Sequence, residues 1–158
     1  MKFSSSFLLF VSLVLFAAPS EAQDCPISGI ATTDFGTGGF GIDMQLAWEP
    51  AACSISVSVV GFACCNTFQI GHAVIVGDAA LPNPVPLPFP FRSDSLLLVQ
   101  PNSVLGVFPG SESNQTIPPN PALAGQTFYT QGVAVFFTTI GLSIDAGTSQ
   151  GVEVQFLP

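Results

Sequence analysis

The stretch Phe40-Gly-Ile-Asp-Met-Gln-Leu-Ala-Trp48-Glu-Pro-Ala-Ala-Cys53-Ser-Ile-Ser-Val-Ser-Val-Val60 decides the fold class. In its first half, Phe40, Ile42, Met44, Leu46 and Trp48 alternate with Gly41, Asp43, Gln45 and Ala47. A period of two places the large apolar side chains on one face of an extended strand and the small or polar ones on the other. Trp48 and Met44 are therefore core residues. From Ser54 to Val60 the pattern returns, with Ile55, Val57 and Val59 inward and serines between them. The intervening Glu49-Pro50-Ala51-Ala52 is a turn, so the two runs form a hairpin with one buried face.

Working outward, Phe68 to Val76 reads as the next strand, with His72 on the face of Phe68, Ile70, Val74 and Val76. A lone histidine in such company, with no nucleophile pattern beside it, reads as a hydrogen-bonded core residue. From Leu81 to Phe91 proline occupies positions 82, 84, 86, 88 and 90. Backbone N–H groups alternate sides along a strand. Prolines at every even position therefore block one edge, while the odd residues keep donors for a partner. This describes an edge strand that cannot recruit a further strand, with its apolar residues buried. Arg92 and Asp94 follow as a local ion pair. Ser95–Val99 and Val104–Phe108 are short apolar strands, and 109–119 is a polar loop carrying the glycosylation triplet Asn114-Gln115-Thr116. Asn120 caps a single helical turn, Pro121 suits its first position, and Gly125 takes the left-handed conformation that ends it. Thr127 to Phe137 is then a long strand. Tyr129, Val133, Val135 and Phe137 face one layer and Phe128, Ala134 and Phe136 the other, as in a central strand. Thr130 and Gln131 sit within this core element. Residues 140–150 read as a small-residue connection, and Val152, Val154 and Phe156 alternate through a final strand.

The outcome is an all-β chain of about seven to eight strands, with no helix beyond one turn. Two packed antiparallel sheets, a β-sandwich, are the expected architecture, with a β-barrel as the alternative. The 158 residues suit one domain.

At the N-terminus, Lys2, the apolar run Phe7–Ala18 and the small residues Ser20 and Ala22 form a secretory signal, cleaved after Ala22. The alternative is an uncleaved anchor, for which the run is short. Cleavage leaves residues 23–158 as a single exported domain, secreted or held in the cell envelope, with no membrane span. Cys25, Cys53, Cys64 and Cys65 all lie in that domain, and an oxidising compartment makes them disulfide candidates. The hairpin brings Cys64 or Cys65 back toward the leading segment, so either is the expected partner of Cys25. Cys53 would lie a strand's length away. One histidine and no paired-cysteine motif argue against zinc. Gly36-Thr37-Gly38-Gly39 lacks the lysine and helix of a phosphate loop and reads as a turn into the first strand. Asp34 and Asp43 flank it as solvated acids.

The net charge is −8, and Arg92 is the only Lys or Arg beyond the signal. A chain so poor in cations cannot neutralise a phosphate backbone or bind an anionic membrane, and it lacks the cationic clamps of phosphoryl transfer.

Ile117-Pro-x-Asn-Pro-Ala-Leu-Ala-Gly125, then Phe128-Tyr129-x-Gln131-Gly-Val-Ala-Val135, then Ser149-x-Gly-Val-Glu-Val154 resembles the C-terminal half of an exported β-domain family of planctomycete-type bacteria. The proline-alternating segment and the early hairpin are similar in pattern. The chain departs from that pattern in having no cysteine in Ser95–Val99 and in carrying Phe136-Phe137 where a polar turn follows in the family. The resemblance implies secretion and a β fold, and it brings no activity, cofactor or site.

The functional expectation is therefore a secreted or cell-surface, non-catalytic β-module with a structural or adhesive role and a surface or matrix partner. The alternative is a carbohydrate- or small-ligand-binding module, with Tyr129 and Gln131 near Asn120 as the candidate contacts. A hydrolase would need two facing carboxylates, such as Asp43 and Glu153. No cofactor is implied.

Overall fold

The computed structural model describes residues 25–39, 41–62 and 65–158. The expected signal peptide over 1–22, Phe40 and Cys64 lie outside them. Ten strands lie among the described residues: β1 Gly29–Phe35, β2 Ile42–Glu49, β3 Ser54–Gly61, β4 Thr67–Gly77, β5 Ala80–Pro86, β6 Leu96–Val99, β7 Ser103–Pro109, β8 Glu112–Thr116, β9 Thr127–Thr138 and β10 Ser143–Leu157. They form a five-stranded sheet in the order β1-β10-β9-β4-β7, a three-stranded sheet β2-β3-β8 and a two-stranded sheet β5-β6. Every strand pair in these sheets is antiparallel. The two larger sheets keep separate edge strands, so they make an open sandwich and not a barrel.

The alternation read from the sequence builds this sandwich. The hairpin β2–β3 pairs Ile42 with Gly61 and Glu49 with Ser54 at its two ends. Its inward residues Ile42, Met44, Ile55, Val57 and Val59 form one wall of the core. Val74, Ala134, Phe136, Val152, Val154 and Phe156 form the other. The walls come close at Gly61, where the Phe136 ring occupies the place of the missing Cβ. β9 pairs β10 on one side and β4 on the other, and its middle residues Thr130 to Ala134 are all buried. It is the central strand that its two-sided apolar pattern indicates.

The β5–β6 pair is a third, smaller layer. It lies on the outer face of the large sheet, where Leu98, Val99, Val133 and Ala146 are buried outside the main core. Gln131 ties the layers together. Its Oε1 accepts from Leu98 N at 2.9 Å, and its Nε2 donates to Leu96 O at 2.8 Å and to Ser149 O at 2.9 Å. Thr148 adds a second tie. Its hydroxyl donates to Leu96 O at 3.0 Å, and its oxygen accepts from Leu96 N at 3.2 Å.

Five expectations require correction. First, residues 140–150 are not a connection, because β10 begins at Ser143. Their small side chains reflect close approach: Ala146, Gly147, Thr148 and Ser149 are buried, and Ile42 fills the space beside Gly147. A one-residue bulge between Thr148 and Gly151 is pinned by Ser149, whose hydroxyl oxygen accepts from Gly132 N at 2.9 Å. Second, the polar loop contains β8, which pairs with β3 from Ser54–Thr116 to Ser58–Glu112. Its alternation is between polar residues only, so hydrophobicity does not reveal it. Third, the proline segment is an edge strand only as far as Pro86, the end of β5, beyond which Leu87 N still donates to Ser95 O at 3.1 Å. Its apolar residues are not buried, however: Val85 is 47% and Phe89 88% exposed. The outer layer is covered on one face only. Fourth, Arg92 is not confined to a local pair: it reaches Asp145, 53 residues away in the chain, with Nε 3.2 Å from Oδ2. The backbone of 90–92 runs along β10 beyond the end of β1, with Arg92 N donating to Ala146 O, and this carries the guanidinium to within 4.1 Å of the Phe136 ring centroid.

The fifth correction concerns the cysteines. Cys25 bonds Cys53, with Sγ–Sγ 2.06 Å and Cα–Cα 5.5 Å, and not Cys64 or Cys65. The leading segment is not a simple turn into the hairpin. It forms β1, and a seven-residue strand spans roughly 23 Å. That length carries Cys25 to the opposite end of the sandwich, beside the 3-10 turn Pro50–Ala52 that presents Cys53.

Candidate functional site

The residues singled out in the sequence do not converge on one site. Gln131 is fully buried, and its amide is engaged in the three bonds that hold β6. Tyr129 is half-buried and meets Phe35 edge-on, with ring centroids 5.8 Å apart. Asn120 caps the 3-10 turn Pro121–Leu123 by accepting from Ala122 N at 3.1 Å, and Gly125 follows at φ +79°. An exposed Tyr–Gln–Asn sugar groove is therefore not formed. Asp43 points away from the core on β2, and Glu153 points away from it on β10, so the core separates the two carboxylates. Asp43 instead accepts from Gln45 Nε2 at 2.9 Å and Gln150 Nε2 at 2.8 Å, which closes the seam between β2 and β10. Asn114 is exposed on β8. Among the described residues no group of three or more His, Cys, Asp or Glu could hold a metal ion.

His72 is the hydrogen-bonded core residue expected, but Phe68 and Ile70 do not share its surroundings: the irregularity between Gln69 and Gly71 turns Phe68 to the outer face, and both are exposed. His72 is fully buried, its Nδ1 lies 3.0 Å from Gly110 O, and its Nε2 lies 2.9 Å from Ser113 Oγ. A carbonyl can only accept, so Nδ1–H donates to Gly110 O, while Nε2 and the Ser113 hydroxyl make the second bond. The ring thus pins the turn that carries the chain from β7 in one sheet to β8 in the other.

Two features that the sequence reading missed are organised enough to contact another molecule. One is an exposed apolar row on the outer face of the large sheet. Ile144 on β10 lies opposite Phe137 on β9, which lies opposite Phe68 on β4. Ile144 is 52% and Phe68 57% exposed, and the β9–β10 turn adds Ile140 and Leu142 at the end of the row. The β5–β6 layer covers the other half of this face, around Gln131 and Val133, and leaves this half open. The pattern signal was available: apolar residues on both faces of β9 need two covers, and only one face meets the sandwich core.

The second feature is a cavity of about 220 Å³ between the two large sheets. It lies on the far side of His72 from Phe136 and is lined chiefly by Val57, Val74, Val76, Phe128 and Val154, with Gln115, Thr116 and Thr130 as polar members. The cause is compositional. Met44 and Phe136 are among the largest fully buried side chains of the core, whereas the valines at the back of this space are smaller, and Leu46, Leu105, Leu123 and Phe128 at its rim are only partly covered.

Compared with protein-family models, curated proteins and solved structures, the chain has no match.

Proposed function

We propose that the protein is a secreted or cell-surface, non-catalytic β-module with a structural or adhesive role, acting through the apolar row Phe68–Phe137–Ile144. That row supports the reading most directly. Large apolar side chains contiguous across three strands and left open to solvent mark contact surfaces in soluble proteins. The neighbouring turn residues Ile140 and Leu142 extend the row at 70% and 77% exposure. The partner is accordingly an apolar surface of a neighbouring matrix molecule, since a chain with two Lys or Arg residues against ten acids is poorly suited to an anionic one. The Cys25–Cys53 disulfide fits an extracellular setting. The side chains best suited to chemistry already hold structural bonds: both ring nitrogens of His72 and the amide of Gln131.

The test is adsorption of the mature protein to alkyl-coated and to bare silica, followed by microbalance. Preferential uptake on the alkyl surface is expected. Phe68→Ser combined with Ile144→Thr should weaken it about tenfold, on the scale of two half-exposed apolar side chains. Equal uptake on both surfaces, or no change in the variant, would remove the basis of the proposal.

A further inference from the structure

The cavity between the sheets has a shape, a lining and an opening that are independent of the outer row. β7 is an edge strand of the large sheet and β8 an edge strand of the small one. The turn between them, pinned by His72, is where the sheets are joined on this side. From that point the two strands diverge, and the gap between them opens to solvent past Leu105, which is 45% exposed, and Thr116. Behind this gap the walls are almost wholly aliphatic or aromatic, and no ionisable side chain lines the space. Thr130 supplies the one buried hydroxyl. It donates to Val152 O at 3.4 Å, and its oxygen keeps acceptor capacity.

We infer that this cavity is a binding site for a small, neutral, apolar molecule with at most one hydrogen-bond donor. An apolar cavity of this kind holds water poorly, and a much-studied engineered cavity of roughly 150 Å³ takes up benzene. At interior packing density the volume here accommodates about eight to ten heavy atoms. A short alkyl alcohol or a two-ring heteroaromatic such as indole fits this description, with its single donor directed at Thr130 Oγ1. A carboxylate of the same length does not, because its charge would be desolvated with no cation or cluster of donors to receive it. The site thus separates neutral hydrophobes from fatty acids, and it does so by what the wall lacks.

The experiment is a methyl-resolved NMR titration of the disulfide-intact mature protein with 1-octanol, indole and octanoate at neutral pH. Saturable shifts at the methyls of Val57, Val74 and Val154 are expected with the alcohol and with indole. Octanoate should bind at least tenfold more weakly. Val74→Phe fills the space and should abolish the saturable shifts. Because that change can disturb the core, Leu105→Trp at the half-exposed mouth provides a second block, which should weaken binding at least tenfold without altering the melting temperature. Thr130→Val should weaken indole more than an alkane of the same size. Shifts confined to Phe68, Phe137 and Ile144, equal affinity for octanoate, or unchanged binding in both blocking variants would overturn the assignment. Surface adsorption through the outer row would be untouched by Leu105→Trp, so the two proposals fail separately.

Discussion

At the scale of single residues, the side chain that matters most to the architecture is Gln131. It sits in the middle of an apolar strand, where a polar side chain is costly unless every group is paired. Both ends of its amide are paired, and they are paired to backbone of β6 and β10, so the residue acts as a short cross-strand in its own right. Replacing it by Leu keeps the volume but leaves the amide of Leu98 and the carbonyl of Ser149 without this partner. We expect a loss of roughly 3 kcal/mol, since each orphaned buried group costs about 1–3 kcal/mol. Urea unfolding should show that loss, and hydrogen exchange at Leu98 should rise well beyond the average for β9. A loss below about 1 kcal/mol would mean that the outer layer is held by its apolar contacts instead. The sequence told part of this story. A polar residue inside an aromatic and β-branched strand implied a core position, but its β6 partners are 33 and 35 residues away, and nothing in the apolar run Ser95–Val99 marks it as the strand that meets Gln131.

At the scale of elements, what was legible and what was not divide along one physical line. β2, β3, β9 and the end of β10 have one or two faces against the core, so their alternation is written in apolar residues. β8 alternates between polar residues, and the first half of β10 is small because Ile42 and the outer layer crowd it, so neither carries the usual signal. β1 was hidden behind glycine and threonine, and missing it misplaced the disulfide. The cavity was illegible for a related reason: its valines are core residues by pattern, and only the fold shows that the space in front of them opens between two edge strands. The bond between Cys25 and Cys53 now staples the segment ahead of β1 to the β2–β3 turn across a separation of 28 residues. Loop-closure entropy puts its contribution at about 3–4 kcal/mol. The double variant Cys25→Ser, Cys53→Ser should lose that amount in denaturant titration, and non-reducing peptide mapping of the native protein should recover the two cysteines in one linked pair.

At the scale of the whole molecule, ten acids face two bases, and the net charge is −8. Arg92 is committed to Asp145 and the Phe136 ring, so it does little to relieve the repulsion among the remaining carboxylates. Such self-repulsion destabilises the compact state and is screened by salt. The melting temperature should therefore rise by several degrees between low and physiological ionic strength. A flat or falling dependence would show that the ion pair outweighs the field. β1 and β10, the first and last strands in chain order, are hydrogen-bonded partners from Gly29–Leu157 to Phe35–Gly151, and β10 alone connects β1 to the rest of its sheet. This arrangement has a consequence in time. However early the hairpin β2–β3 forms, the large sheet has no place for its first strand until the last one has left the ribosome. Until β10 has been made, β1 has no strand to pair with in its sheet, so the two ends of this fold are completed together.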